Sequence, residues 1–320
     1  MFDFAGKRAK PAISHLSLTL SIVILLLPVI ACSKKESAAV DTGPKTFASP
    51  QDAGTALAEA AKSADLDQIM HIFGAEAKEI LDSRDPIQNK AALKEFAQSY
   101  QAMNRWRRLA DGGQLLIVGA DNTVFPIPLM KNAAGQWYFD TKAGKEEILS
   151  RRIGRKELNT INVCGAIYDA ETKYFAQKHG GIKQFAQKFI SDPGQQNGLY
   201  WPETQGQPRS PLGPMVAYAT AEGYKVQPNQ HQPFRGYYYM MLHKQGPGAP
   251  GGAKDYIVNG KMTGGFAVLA YPANYGSSGI MTFLINEDGV LLQKDLGKAT
   301  TQVTSAITEF NPDSSWTVVE

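Results

Sequence analysis

Cysteine is almost absent from this chain, so disulfide bonds cannot be the main source of its stability. The 320 residues include two cysteines, Cys32 and Cys164. Small exported scaffolds that are held together by disulfides carry many more. Cys32 is predicted below to carry lipid, so no structural disulfide can form within the rest of the chain. We interpret Cys164 as a buried thiol that acts as a small apolar side chain, with a reactive thiol or an intermolecular disulfide as alternatives.

Other features that mark particular functions are also missing. The net charge is only +3, and removing the first 31 residues, with Asp3, Lys7, Arg8 and Lys10, lowers it to +1. Such a balance does not indicate nucleic-acid binding. No two histidines have the helical or finger spacing of a zinc site, and no carboxylate pair stands out for acid–base chemistry. We therefore expect no catalytic residue, no metal and no cofactor.

A short apolar run near the N-terminus predicts export. Residues 16–30 carry no charge and follow a basic start formed by Lys7, Arg8 and Lys10. The run falls short of the roughly 20 apolar residues that a membrane-spanning helix needs. A basic start, a short apolar run and a small residue at its end are typical of a bacterial signal peptide, which we assign to residues 1–31.

The apolar run ends in Val29-Ile30-Ala31-Cys32, which resembles the lipobox of bacterial lipoproteins. The resemblance implies cleavage between Ala31 and Cys32 and a diacylglyceryl thioether on Cys32; ordinary secretion is the alternative. Acyl chains anchor a protein because each buried CH₂ contributes about 0.8 kcal/mol. Ser33 stands where an aspartate usually signals inner-membrane retention, so the resemblance favours the outer membrane, facing the periplasm. Residues 32–45 are polar and indicate a flexible tether.

Helical patterns followed by strand patterns predict an α+β first domain over residues 46–143. We expect Ser49 to cap a first helix that starts at Pro50, and we expect a later helix to start at Asp85 or Pro86. Aspartates at these helix ends are explained by capping. Three β-rich stretches with turn residues between them follow, at positions 114–120, 123–131 and 135–141. This order resembles the NTF2-like cone, in which helices close over a curved antiparallel sheet. The resemblance implies a pocket for an apolar ligand.

One long helix, straight or once kinked, is predicted over about 144–178. A face from Gly154 to Phe175 repeats at alternating spacings of four and three residues. Each glycine in it costs about 1 kcal/mol relative to alanine, so we expect Gly154 and Gly165 to allow the close approach of another backbone or to mark a kink. The charged stretch 145–157 indicates a solvated helix face; a docking surface for an anionic partner, such as lipid head groups or a glycan, is the alternative.

The second domain, residues 144–320, is predicted to pack this helix on an antiparallel sheet. Strands are expected in "RGYYYMMLH", "GGFAVLAYP", "GIMTFLIN" and "VLLQKDL", and a helix in "KATTQVTSAITEF". A long helix followed by such strands resembles the globular part of type IV pilins and pseudopilins. The helix lies far from the N-terminus, unlike the membrane helix of pilins, so the resemblance implies a fold and does not imply assembly into a pilus.

Four longer stretches resemble a bacterial family catalogued as domain of unknown function 2950. They include "GLYWPETQGQPRSPLGP" and "GIMTFLINEDGVLLQKDLG", and they lie at 125–164, 198–214, 237–276 and 279–297. The resemblance covers nearly the whole of the exported chain. It implies an exported protein, often with a lipid anchor, and it implies no activity.

Aromatic side chains between positions 200 and 275 are the remaining candidates for a site. Trp201, Tyr237 and Tyr239, with Arg235 beside them, could form a binding face, because such side chains combine an apolar body with a polar tip. Packing in the core is the alternative. The leading hypothesis is a non-enzymatic envelope module that binds a protein or glycan and is held to the membrane by lipid. The alternative is a small-molecule carrier or enzyme that uses the pocket of the first domain.

Overall fold

Capping residues begin the helices of the first half, as the sequence predicts. A computed structural model describes residues 43–81, 85–225 and 232–319. Ser49 accepts a hydrogen bond from the Asp52 amide at 3.1 Å, and Pro50 begins the first helix. The helices of the described residues are α1 (Pro50–Ser63), α2 (Leu66–Phe73), α3 (Ala77–Leu81), α4 (Pro86–Ala102), α5 (Thr141–Ala176), α6 (Gly213–Glu222) and α7 (Thr300–Ala306). The short helices α3 and α6 were not predicted from the sequence.

The predicted lipid anchor lies outside the residues that the structure describes. The predicted signal peptide, its cleavage site at Ala31 and the lipidated Cys32 fall outside the described residues, as does most of the tether. Within the part of the chain that the structure describes, no helix combines the length and apolar character needed to cross a membrane.

An antiparallel sheet follows the first four helices. Its strands are β1 (Asn104–Arg108), β2 (Gln114–Val118), β3 (Thr123–Val124), β4 (Leu129–Lys131) and β5 (Trp137–Phe139). Their order is β1-β2-β4-β5, and β3 pairs with β2. Leu57 and Ile69 of the helices pack with Leu129 and Phe139 of the sheet in one buried cluster. The prediction of an α+β fold is confirmed; the NTF2-like arrangement stays a prediction.

A second antiparallel sheet forms the larger core. The remaining strands are β6 (Lys178–His179), β7 (Ile182–Lys183), β8 (Tyr237–Leu242), β9 (Lys244–Gln245), β10 (Lys254–Asp255), β11 (Ile257–Val258), β12 (Lys261–Met262), β13 (Ala267–Pro272), β14 (Met281–Asn286), β15 (Leu291–Asp295) and β16 (Thr317–Val318). Five of them pair in the order β16-β15-β14-β13-β8. Helix α5 lies against β13 and β14. The pilin-like arrangement also stays a prediction.

Helix α5 connects the two cores. Residues 42–320 form one compact unit, in which Ile148 packs against the first cluster and Val163 and Ile167 belong to the second. Cys164 is fully buried beside them, and burial raises the pKa of its thiol to about 12. The thiol is therefore protonated and unreactive, as our interpretation of a small apolar side chain requires. A division into two domains at residue 143 stays a prediction.

The buried face of α5 differs from the predicted face. The helix is continuous over 36 residues, and its buried positions include Thr160, Val163, Ile167 and Tyr174. Leu158, which belongs to the predicted face, is 65% exposed. The prediction was wrong because several positions of the buried face are polar or small, including Thr160, Ala170 and Glu171, so a stripe of large apolar side chains does not mark that face.

The two glycines of that face do not bring another backbone close. A Cβ atom added at Gly154 or Gly165 would meet no atom within 4 Å. The close approach lies at Gly144, in the first turn of α5, where an added Cβ would be 2.6 Å from Cα of Ile127. At that position only glycine allows the helix to pack against the loop between β3 and β4.

Candidate functional site

A cavity of about 540 Å³ lies beside Tyr239, between α5, α6 and the start of α4. We call it the Tyr239 cavity. Its volume lies within the range of about 300–1,000 Å³ that is common for small-molecule sites. Most of its wall is apolar and includes Ile87, Val163, Ile167, Met215, Val216 and Phe234. An apolar wall of this size can take up a ligand by the hydrophobic effect.

Local sequence explains how these side chains meet. On α6, Met215, Val216 and Ala219 recur at helical spacing and face one side. On α5, Val163 and Ile167 are one helical turn apart and form the opposite wall. Two helices thus present apolar stripes to each other without filling the space between them.

Polar groups are concentrated at the end of the cavity formed by Asp85 and Tyr224. Asp85 is the N-cap of α4 and accepts a hydrogen bond from the Gln88 amide at 3.0 Å. Its other oxygen accepts a hydrogen bond from the Tyr224 hydroxyl at 2.7 Å. Burial and then this hydrogen bond raise the pKa of Tyr224 well above its usual range. The phenol therefore stays protonated and holds the start of α4 against the segment after α6.

Lys156 of α5 adds a buried cation to this group. Only 3% of Lys156 is exposed, and burial lowers its pKa to about 8, although the Asp85 carboxylate acts in the opposite direction. The ammonium packs so tightly on Gly236 that a Cβ added there would lie 2.8 Å from its nitrogen. We call Asp85, Tyr224 and Lys156 the Asp85 cluster. The cluster joins the start of α4 and helix α5 to the segment after α6, which carries Tyr224, and to Gly236 before β8.

The structure separates the residues that we predicted to form a binding face. Tyr239 lines the Tyr239 cavity, is partly buried and places its hydroxyl 3.5 Å from the Thr160 hydroxyl. Trp201 and Tyr237 are instead buried in the core, where their polar atoms donate to the carbonyl oxygens of Pro208 and Met281 at 2.9 Å. Because both polar tips are already bonded inside the protein, these two side chains do not form an exposed face with Tyr239.

Arg235 lies near the cavity and is held by an ion pair. Its guanidinium donates to both carboxylate oxygens of Glu222, at 2.7 and 2.8 Å. It also lies over the rings of Tyr218 and Phe234, with its central carbon 5.2 and 5.4 Å from the ring centres. The geometry assigns it to fixing the end of α6 and the segment before β8.

Several residues of the site were not predicted from the sequence. Met215 and Val216 belong to a helix that was not predicted, and Tyr224 follows that helix directly. Asp85 was interpreted only as a helix cap; that role is correct, but its second partner lies 139 positions away. No local pattern indicates such a contact. Among residues 43–81, 85–225 and 232–319, no group of three or more His, Cys, Asp or Glu residues is arranged to hold a metal ion.

Comparison with known proteins identifies one match. A family model described as "Protein of unknown function (DUF2950)" matches residues 44–319, which include both cores and the Tyr239 cavity. No curated protein matches the chain. No solved structure matches it either.

Proposed function

The chain belongs to the family of proteins of unknown function DUF2950, and we propose that it is a non-enzymatic binding protein that takes an apolar small molecule into the Tyr239 cavity. The observation that carries the proposal is the cavity itself, about 540 Å³ in volume and lined mostly by apolar side chains. Sites for small molecules combine such a wall with a few placed polar groups. Here Asp85, Tyr224 and Tyr239 provide those groups.

The wall favours an apolar ligand over the protein or glycan that the aromatic pattern suggested. A glycan needs many hydrogen-bond partners, whereas the side chains of Val163, Ile167 and Val216 offer none. A protein partner would need an exposed patch, and Trp201 and Tyr237 are buried. We therefore place the protein or glycan partner second to a small molecule of low polarity.

A cavity-filling variant tests this proposal. Met215→Trp is expected to weaken the binding of a neutral apolar fluorophore, N-phenylnaphthylamine, by at least about tenfold, because the indole would occupy the ligand's space. Met70→Trp is the matched control, since Met70 lies on α2, is 39% exposed and does not line the cavity. Fluorescence titration of both variants and the native chain gives the three affinities. Equal affinity of native protein and Met215→Trp, or no binding by the native chain, would contradict the proposal.

The proposal places this binding protein in the cell envelope, on a lipid anchor at Cys32. The lipobox-like ending at Val29–Cys32 and the polar stretch after it support that location. We expect the native chain to sediment with the membranes, in the outer-membrane fraction, and Cys32→Ser to lose that association because no acyl chain can be attached. Fractionation of intact cells measures this. Identical distribution of the two forms would remove the support for the anchor.

A further inference from the structure

A second cavity lies in the first half of the chain, apart from the Tyr239 cavity. It has a volume of about 290 Å³ and is enclosed by the helices before the first sheet, the segment after β3 and α5. Its interior is apolar and aromatic, with Ile69, Phe73, Ile80, Leu93, Phe96 and Phe125 in the wall. The rings of Phe96 and Phe125 are 5.2 Å apart, and those of Phe73 and Phe125 are 6.2 Å apart. A space of this size suits one narrow apolar chain.

One wall of this cavity is basic. Four successive positions of one side of α5 line it, and all are basic, namely Arg151, Arg152, Arg155 and Lys156. Residues four apart on a helix are neighbours, so the four charges form two adjacent pairs. None of the described residues that line the cavity is acidic. We call it the arginine-rimmed cavity.

These basic side chains differ in their burial and in the partners that they have within the protein. Arg151 is paired with Glu147 at 2.6 Å and donates to the Val124 carbonyl at 2.9 Å. Lys156 is buried beside Asp85. Arg155 is exposed and makes no hydrogen bond or ion pair with the residues that the structure describes. Its guanidinium is therefore available to an anion at the mouth of an apolar space.

We infer that the arginine-rimmed cavity binds a single-chain amphiphile with an anionic head, the chain among Phe73, Phe96 and Phe125 and the head at Arg155. Guanidinium groups bind carboxylates and phosphates with paired hydrogen bonds, which are stronger than those between neutral groups. The apolar interior excludes a free inorganic anion as the main ligand, because such an ion would leave the rings unfilled. The cationic rim excludes an amphiphile with a positive head. A carboxylate and a phosphate head share the required chemistry.

A series of ligands with one chain and different heads tests this inference. Decanoate, decyl phosphate, decanol and decyltrimethylammonium are titrated calorimetrically into the full chain, below the concentrations at which they form micelles. We expect one or both anions to bind at least about tenfold more tightly than decanol, as a charge-assisted hydrogen bond supplies. The tighter of the two anions identifies the head. Decyltrimethylammonium binding as tightly as the anions would overturn the inference, and so would the absence of binding by both anions.

Charge reversal at the rim connects this preference to Arg155. Arg155→Glu is expected to weaken anion binding by about tenfold or more and to leave decanol unchanged. Lys142→Glu is the matched control, because it makes the same change of charge on an exposed part of α5 that does not line the cavity. Equal losses in both variants would mean that only net charge matters and would overturn the assignment of the head to Arg155.

Filling variants separate this site from the Tyr239 cavity. Ala92 is exposed at the edge of the arginine-rimmed cavity, so Ala92→Trp is expected to block decanoate or decyl phosphate without changing the fold. Met215→Trp is expected to leave anion binding unchanged. If Met215→Trp abolished the anion binding and Ala92→Trp did not, the anion would lie in the other cavity and the inference would be wrong.

Discussion

Replacing Asp85 with alanine is expected to lower the free energy of unfolding by about 3–5 kcal/mol, the usual cost of removing one partner from a buried charge pair. Three losses combine in this variant. The buried ammonium of Lys156 loses the negative charge that partly offsets the effect of burial on its pKa. The Tyr224 hydroxyl loses its hydrogen-bond acceptor, and the Gln88 amide loses the side chain that caps it. Because domains are stable by about 5–15 kcal/mol, the variant should be close to unfolding at moderate temperature.

The chain contains a closely matched control for the capping part of this loss. Asp65 caps α2 and accepts from the amide of Gln68 at 3.0 Å, the same distance that joins Asp85 to Gln88. Asp65 is exposed and bonds no tyrosine. Asp65→Ala is expected to cost about 1 kcal/mol, as the loss of a cap alone does. The difference between the two variants measures the contribution of the Asp85 cluster.

Urea unfolding of both variants gives the two free energies. A double variant adds a second measurement of the same cluster. Lys156→Met in the Asp85→Ala background removes the buried charge, so part of the lost stability should return. If Asp85→Ala cost no more than Asp65→Ala, the cluster would contribute only a helix cap.

Local signals in the sequence predicted much of the fold. Ser49 and Pro50 mark the start of α1, and short runs of mostly apolar residues mark β8, β13 and β14. These elements are determined by residues within a few positions of one another, so one sequence is enough to find them. The long helix α5 was also predicted, over about 144–178, although its buried face was not.

The candidate site could not be predicted in this way. Lys156 lies in a charged stretch that was interpreted as a solvated face, and nothing near it in sequence indicates burial. It is buried because Asp85 and Gly236, which are distant in sequence, enclose it. Tyr237 and Tyr239 are two positions apart on the same strand, yet one packs inside the core and the other lines a cavity. Tyr239 lines a cavity because α6 forms another part of its wall, and α6 itself gives only a weak helical signal after Gly213-Pro214.

The stability of the protein is expected to fall as the pH rises from about 5 to about 8 because of Glu171. This side chain is fully buried in α5. One of its oxygens accepts from the Ala186 amide at 2.9 Å, and the other has no hydrogen-bond partner among the described residues. Burial raises the pKa of Glu171 to about 8, although the hydrogen bond from Ala186 acts in the opposite direction. The carboxyl is therefore protonated in the folded protein at neutral pH.

The direction of the effect follows from where the proton is held. Below a pH of about 4.5 the carboxyl is protonated in both the folded and the unfolded chain, so its titration does not lower the free energy of unfolding. Between that pH and about 8 the folded chain keeps the proton and the unfolded chain releases it. Unfolding then becomes easier with each rise in pH, by at most about 1.4 kcal/mol per pH unit for one proton. Above a pH of about 8 this contribution is constant.

Glu171→Gln isolates the effect, because glutamine keeps an oxygen for the Ala186 amide and cannot release a proton. Urea unfolding from pH 5 to pH 9 should give a free energy of unfolding that declines more steeply for the native chain than for the variant. Other titrating groups, including His179, whose pKa burial lowers, contribute to both curves and cancel in their difference. Two parallel curves would show that Glu171 is ionised in the folded state. A difference that grows to about pH 8 and then stays constant would show that the core of this protein keeps a neutral carboxylic acid, and that releasing its proton lowers the stability of the folded chain.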